Sequence, residues 1–218
     1  MTLRSKPQLR PDLSFELDLL QSGVKHVAGL DEAGRGAWAG PVYAAAVILP
    51  INRFDLARCL EGVRDSKQMT PAQRERWAIH ISKIARAIGV GQSSAGEVDS
   101  IGLISATRLA MTRALAALRE PAEHLLIDYI GLPDIHLPQT PLPHGDARVL
   151  SIAAASVIAK VARDRAMVAF DEHFPGYGFS RHKGYGTSHH RHALQRLGPC
   201  PIHRRTYAPV AALTPHHH

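Results

Sequence analysis

Cysteine is scarce in this sequence: among 218 residues it occurs only as Cys59 and Cys200. Two cysteines supply neither a disulfide framework nor the paired spacing of a zinc knuckle. Long apolar runs are missing as well. The longest, Val42 to Leu49, is eight residues, against the ~20 that a membrane-spanning helix needs. The first twenty residues, with Pro7, Pro11 and several charges, contain no apolar h-region, so no secretory signal is expected. No internal repeat or low-complexity linker is present. With 45% hydrophobic and 21% charged residues, the composition is that of an ordinary globular protein. A soluble, cytoplasmic chain with one domain over 1–218 is expected.

Negative charge is the most telling absence. From residue 173 onward there is no Asp or Glu, although the chain has 19 acids in all. That same stretch holds Arg181, Lys183, Arg191, Arg196, Arg204 and Arg205, interleaved with Tyr177, Phe179, Tyr185 and Tyr207. The formal net charge is +7 and the pI about 9.8. A basic, acid-free segment attracts polyanions, with affinity that falls as salt rises; the plainer alternative is a solvated surface that happens to be basic. His182, His189, His190 and His192 suggest a metal cluster, yet adjacent helical residues point apart and no Cys or acid joins them at a ligand spacing. No zinc site is expected there. His216 to His218 read as a tag remnant or tail.

Punctuation along the chain indicates alternating elements. Val27 to Leu30 reads as a buried strand ended by Asp31-Glu32, and Val42 to Leu49 as a second strand stopped by Pro50. Gly34, Gly36 and Gly40 between them favour a tight antiparallel connection. Thr70-Pro71-Ala72-Gln73 carries a capping-box signature, opening a helix through Trp77, Ile81, Ile84 and Ile88. Ile88 to Gln92 then turns towards a third strand through Gly89 and Gly91. Leu103 to Leu118 reads as an amphipathic helix with Ile104, Leu109, Met111, Leu115 and Leu118 on its apolar stripe. Glu123 to Asp128 is a strand ending on a carboxylate. The Pro-rich stretch Pro133 to Pro143 leads to Gly145-Asp146 and then a long helix through Ile152, Ala155, Ile158 and Val161. This order indicates an α/β or mixed-sheet domain.

Asp31, Glu32, Asp128 and Asp146 stand apart from the other acids. Each follows an apolar strand or sits beside glycine, where a side chain reaches the rim of a sheet; a turn or helix cap is the simpler role for any one alone. If they converge, each close pair costs on the order of 4 kcal/mol at an effective dielectric of 20, and a cation must offset it. All-carboxylate ligation favours Mg²⁺ or Mn²⁺. Two such ions serve in-line displacement at phosphorus, so the residues point to a metal-dependent phosphodiesterase acting on nucleic acid. Gly34-Arg35-Gly36 exposes backbone N–H groups around a guanidinium, yet lacks the pattern of a P-loop or a dinucleotide fingerprint. A hairpin turn is its simpler role.

Gly29-Leu30-Asp31-Glu32-Ala33-Gly34-Arg35-Gly36 resembles the ribonuclease HII family of type 2 ribonucleases H. The resemblance continues through Ala39-Gly40-Pro41-Val42, Asp65-Ser66-Lys67, Ile152 to Val161, Arg163-Asp164-Arg165, His182 to Thr187 and Pro201 to Arg204. It spans roughly residues 26 to 210; residues 1 to 23 carry no comparable signature. It implies a ribonuclease H-like fold: a central mixed five-stranded sheet flanked by helices, with a core over about 26–172. A helical, basic substrate-binding segment over about 173–210 and a tail at 211–218 would follow.

The implied activity is hydrolysis 5′ to a ribonucleotide in RNA/DNA hybrids, or at a single ribonucleotide in duplex DNA, leaving 3′-hydroxyl and 5′-phosphate ends. Such an enzyme serves replication and the repair of ribonucleotides in DNA. By the same resemblance, Asp31, Glu32, Asp128 and Asp146 are its catalytic metal ligands, for Mn²⁺ or Mg²⁺. Gly34, Arg35 and Gly36 match the loop that contacts the RNA–DNA junction. Tyr185 matches the tyrosine that stacks on the sugar and senses the 2′-hydroxyl, and Lys67 a lysine near the scissile phosphate. The implied partner is nucleic acid, with no membrane, and the chain is expected to be a monomer.

The sequence departs from the family pattern at Tyr129 (usually Gly), His144 (Lys), Trp38 (Leu) and Gly102 (Asn). Two other functions fit the basic segment: a nucleic-acid binder without catalysis, or a nuclease of broader substrate range. All four acids argue against the first. The Gly-Arg-Gly loop with Tyr185 argues against the second.

Overall fold

A computed structural model describes residues 10–213; His216 to His218, and Pro7 with the rest of the first nine positions, lie outside them. Five strands form one sheet: β1 (Val27–Ala33), β2 (Val42–Ile48), β3 (Ala87–Ser93), β4 (His124–Asp128) and β5 (Gln139–Leu142). Their spatial order is β3-β2-β1-β4-β5. The sheet is mixed and flanked by helices, as the resemblance implies. β1 does not stop at Leu30 but continues through Asp31 and Glu32 to Ala33. Its parallel register with β4 sets Leu30 opposite Ile127, so the next residues along the two strands are Asp31 and Asp128. β5 pairs in parallel with β4; it lies inside the Pro-rich stretch, where Pro141 hides the strand pattern.

The helices are α1 (Ser14–Gln21), α2 (Leu56–Cys59), α3 (Pro71–Ile84), α4 (Ala95–Ile101), α5 (Leu103–Ala116), α6 (Leu150–His173), α7 (Phe179–His182), α8 (Ser188–Leu197) and α9 (Ala208–Ala211). Thr70 and Ser94 open α3 and α4 with complete capping boxes. α3 ends at Ile84, so Ile88 belongs to β3 and not to the helix. Among the described residues no helix is long and apolar enough to cross a membrane.

The chain divides into two compact units. One comprises the described residues up to Asp31, Ala46–Ile88 and Arg119–Val157. Within it, a Cβ on Gly29 would stand 2.2 Å from the Ser151 backbone, so β1 lies directly on the first turn of α6. α1 anchors that same turn: Ser151 N–H donates to Glu16 Oε1 at 2.8 Å. Burial raises the Glu16 carboxyl above the ordinary carboxylate range.

The other unit comprises Glu32–Ala45, Gly89–Leu118 and the described residues from Ile158 onward. Here α5 buries Ala106, Thr107, Ala110, Met111 and Ala114, whereas Ile104 is exposed. Met111 of the expected stripe is buried, and small residues fill the rest of the buried face because β3 comes so close. A Cβ on Gly89 or Gly91 would lie 2.0 or 2.3 Å from a helix carbonyl oxygen. Ala39, Met167, Tyr177, Phe179, Ala193 and Cys200 form a core cluster of this unit.

Candidate active site

In the first unit, Asp146 pairs with Lys67, and Asp31 and Asp128 act on the charge of that lysine. Asp31 sits within β1 and is 3% exposed, and Asp128 closes β4. The turn after β5 passes through His144 in left-handed conformation, φ +56°. Gly145 N–H then donates to Asp128 Oδ1 at 2.7 Å. A Cβ at Gly145 would meet Ile152 Cδ1 at 2.7 Å, so the turn closes tightly on α6. Asp146 follows, buried, with its Oδ2 3.7 Å from Lys67 Nζ.

Lys67 is placed by Asp65, whose side chain caps a short 3₁₀ turn by accepting the Lys67 N–H at 2.9 Å. Ser66 fixes that turn against α6 through a 2.9 Å hydroxyl contact with Ser156. Burial works against the Lys67 charge, but the carboxylates of Asp65, Asp31, Asp146 and Asp128 outweigh it and raise its pKa. The Asp146 carboxyl is also pushed up, first by burial and then by Asp65 and Asp128, with Lys67 opposing. These shifts mark negative charge in excess of the one ammonium that faces it.

Among the described residues no group of three or more His, Cys, Asp or Glu side chains is arranged to hold a metal ion. The donor chemistry nonetheless fits a hard divalent cation. Its oxygens are all carboxylates, and burial, with the charges of Asp65 and Asp128, has already lifted Asp146.

The second unit carries the glycine loop and Tyr185. Glu32, the next residue after Asp31, accepts from Arg35 Nη1 at 3.3 Å. Gly34 has φ +96° and abuts Arg163, whose Nε would be 1.9 Å from a Cβ there. Gly36 has open space around it. Two buried arginines hold this loop. Arg163 donates to the carbonyls of Pro41, Ala39 and Lys183 at 2.9 to 3.1 Å. Arg204 donates to those of Gly34, Arg35 and Gly40 at 2.7 to 3.1 Å. Tyr185 is half-buried, with Lys160 Nζ and Arg163 Cζ 5.3 and 5.1 Å from its ring centroid. Trp38 packs on the next residue: a Cβ on Gly186 would lie 2.2 Å from its ring.

Arg163 and Arg204 carry the loop, and sequence reasoning assigned neither a role. Arg163 had a readable signal, since it falls on the stripe Ser156, Ala159, Arg163 and Met167 of α6, all buried. Arg204 had none, and counting it with the exposed basic segment is corrected here: it is fully buried and bonded to carbonyls. Arg181, Arg191, Arg196 and Arg205 remain exposed.

The histidines are structural. His182 and His190 stack at 4.4 Å, and His190 Nε2 meets His203 Nε2 at 3.0 Å. Assigned from their partners, the tautomers form a neutral chain. His203 Nδ1 accepts the Cys200 N–H, its Nε2–H donates to His190, and His190 Nδ1–H donates to the Tyr185 carbonyl. Burial lowers His190 and His203 from the ordinary 6.5 to about 4.

A family model described as Ribonuclease HII matches residues 28–210. The Ribonuclease HII of Chloroflexus aurantiacus is 54% identical over 200 residues, covering 92% of this chain and 94% of the relative. The crystal structure of ribonuclease H2 from Pyrococcus horikoshii superposes with a TM-score of 0.71 at 26% identity, covering 86% and 96% of the two chains. A ribonuclease HIII, Bst-RNase HIII in complex with Mn²⁺, shares the fold at a TM-score of 0.67 and 18% identity, over 97% of this chain and 74% of that one.

Proposed function

This chain belongs to the ribonuclease HII family, and from that premise we propose how it works as an endoribonuclease of RNA/DNA hybrids. The bond cut is the phosphodiester 5′ to a ribonucleotide, in a hybrid or at one ribonucleotide embedded in duplex DNA, leaving 3′-hydroxyl and 5′-phosphate ends. One observation carries the reading: Lys67 stands among Asp31, Asp128 and Asp146. A perturbed lysine and a perturbed carboxyl set side by side are what a site built for charged chemistry provides.

In this reading Asp31, Glu32, Asp128 and Asp146 hold Mg²⁺ or Mn²⁺. A divalent ion bound there would supply activation of the attacking water and neutralisation of charge at phosphorus. Lys67, tethered by Asp65, balances the acids and faces the scissile phosphate. Gly34, Arg35 and Gly36 offer backbone N–H groups and one guanidinium to the junction phosphates. Tyr185 stacks on the sugar carrying the 2′-hydroxyl, its ring steadied by two cations. The exposed Arg181, Arg191, Arg196 and Arg205 supply non-specific attraction to the duplex. The protein acts as a cytoplasmic monomer in replication and repair.

The test is a DNA duplex containing one ribonucleotide, incubated with and without Mg²⁺ or Mn²⁺, with the cut mapped. A metal-dependent nick 5′ to that ribonucleotide is expected. Cutting of a long hybrid alone would remove the junction roles of Arg35 and Tyr185. Binding without any cutting would overturn catalysis. Tyr185→Ala is expected to lose more activity on the single ribonucleotide than on the long hybrid.

A further inference from the structure

Away from the acids and the glycine loop, one cleft of the first unit gathers cations. About 620 Å³ in volume, it is lined by Arg10, Arg58 and Arg64, with Gln68 and Leu150 in its wall. Two carboxylates, Asp12 and Glu61, also line it. Asp12 accepts the N–H and hydroxyl of Ser14 at 2.9 and 2.5 Å and keeps its charge, so the lining sets three cations against two anions. Among the described residues none of the three arginines forms an ion pair. The Nε of Arg64 is buried with no hydrogen-bond partner.

A guanidinium that lines a cleft and pairs with no carboxylate keeps its full charge for an incoming anion. Guanidiniums present planar forks that match phosphate oxygens. Three of them in one concavity, none in an ion pair and outnumbering the carboxylates of Asp12 and Glu61, leave a net positive charge that draws an anion.

Its place along the chain says which anion. Gln68 adjoins Lys67, and Leu150 comes four residues after Asp146. Four residues reach at most ~14 Å, well inside one ~34 Å turn of duplex. A strand with one phosphate at Lys67 and Asp146 therefore has others within range of the cleft.

We propose that the cleft of Arg10, Arg58 and Arg64 is a second phosphate-binding subsite, gripping the nucleic-acid backbone away from the scissile bond. The inference rests on the nuclease reading above and extends it to substrate positioning.

Binding of a labelled RNA/DNA hybrid, without divalent metal, is measured from low to high salt for wild type, Arg58→Gln, Arg64→Gln, the double variant and Arg119→Gln. Each duplex phosphate contact contributes about 0.9 to the slope of log K against log salt. The double variant is expected to lose one to two units of slope and to bind on the order of tenfold more weakly at moderate salt. Arg119→Gln, outside the cleft, keeps the wild-type slope. Thermal melts of each variant show that folding is intact, and either single variant decides the matter if the double one fails to fold.

A wild-type slope in the folded double variant overturns the subsite. So does an unchanged slope together with stabilisation of wild type, but not of the variant, by millimolar nucleoside monophosphate; the cleft would then take a free phosphate compound. Cutting by the same wild-type preparation keeps the two readings separable. An unchanged slope with cutting intact removes the cleft alone, and a reduced slope with no cutting removes the nuclease alone.

Discussion

Arg204 Nη2 donates to the carbonyl oxygen of Gly34 at 2.8 Å, although the two residues are 170 positions apart in the chain. The arginine is fully buried and also holds the carbonyls of Arg35 and Gly40. Arg204→Ala would strand these carbonyls and open a cavity, costing about 3–5 kcal/mol. Urea melts should show that loss, with Arg204→Lys recovering only part of it. An alanine variant as stable as wild type would mean the loop holds itself.

Gly34 and Gly36 should respond differently to alanine. At Gly34 the new Cβ meets the buried Arg163 side chain and the backbone has φ +96°, so Gly34→Ala is expected to cost about 2–4 kcal/mol. At Gly36 nothing stands within 4 Å, and Gly36→Ala should fold as well as wild type. Reduced hybrid cleavage by the Gly36 variant would then report the approach of substrate. Equal melting temperatures for the two variants would contradict this account of the loop.

Asp146 is buried and faces Asp65 and Asp128, so its charge destabilises the metal-free fold. Asp146→Asn should leave metal-free stability equal to wild type or raised by up to ~1 kcal/mol, while cleavage falls by on the order of 100-fold or more. Mn²⁺ should raise the melting temperature of wild type and not of the variant. A variant that still cuts near the wild-type rate would take Asp146 out of the site. Removal of divalent metal by a chelator should stop wild-type cutting and leave hybrid binding in place.

His190 and His203 are buried neutral, each lowered to about 4 by desolvation. The unfolded chain takes up protons at about 6.5, so it binds more of them than the folded chain between pH 6.5 and 4. The contribution of these rings is therefore full above pH 6.5 and is lost as pH falls through that window, by on the order of 3 kcal/mol for each. His190→Phe, which keeps the aromatic packing, should show a shallower loss between pH 7 and 4.5 in urea melts. Identical pH slopes would place the acid sensitivity elsewhere.

Tyr129 is exposed and held at φ +61°. That conformation explains why the family pattern has glycine here: the left-handed region costs a side-chain-bearing residue ~1–2 kcal/mol. Glycine's larger unfolded-state entropy offsets ~0.5–1 kcal/mol of any relief. Tyr129→Gly should thus gain about 0.5–1 kcal/mol, seen by calorimetry, with cleavage at least that of wild type. A loss of stability would show that the tyrosine makes contacts outweighing its strain.

Much of the fold is readable in the sequence because it rests on local rules. The Thr70 box, the apolar runs of β1, β2 and β4, and the carboxylate ending β4 depend on neighbours along the chain. The α4 box at Ser94 and Glu97 obeys the same rule, and its signal is present in those two residues. β5 escapes because Pro141 sits in a strand bounded by prolines. The α5 stripe is misjudged from sequence because the size of its buried residues is set by Gly89 and Gly91 in another element.

The sequence by itself determined which residue types are available for chemistry: four acids near strands and glycines, a lysine after Asp65, and an acid-free basic end. It could not say which cations face solvent, because burial depends on what packs from afar. Tertiary structure turned Arg204 and Arg163 inward, since backbone carbonyls of a tight glycine loop need donors that no neighbouring residue supplies. It set Lys67 against Asp146 and left the Arg64 Nε buried without an acceptor. These are relations between segments distant in sequence, and only folding gives them a distance and hence an energy.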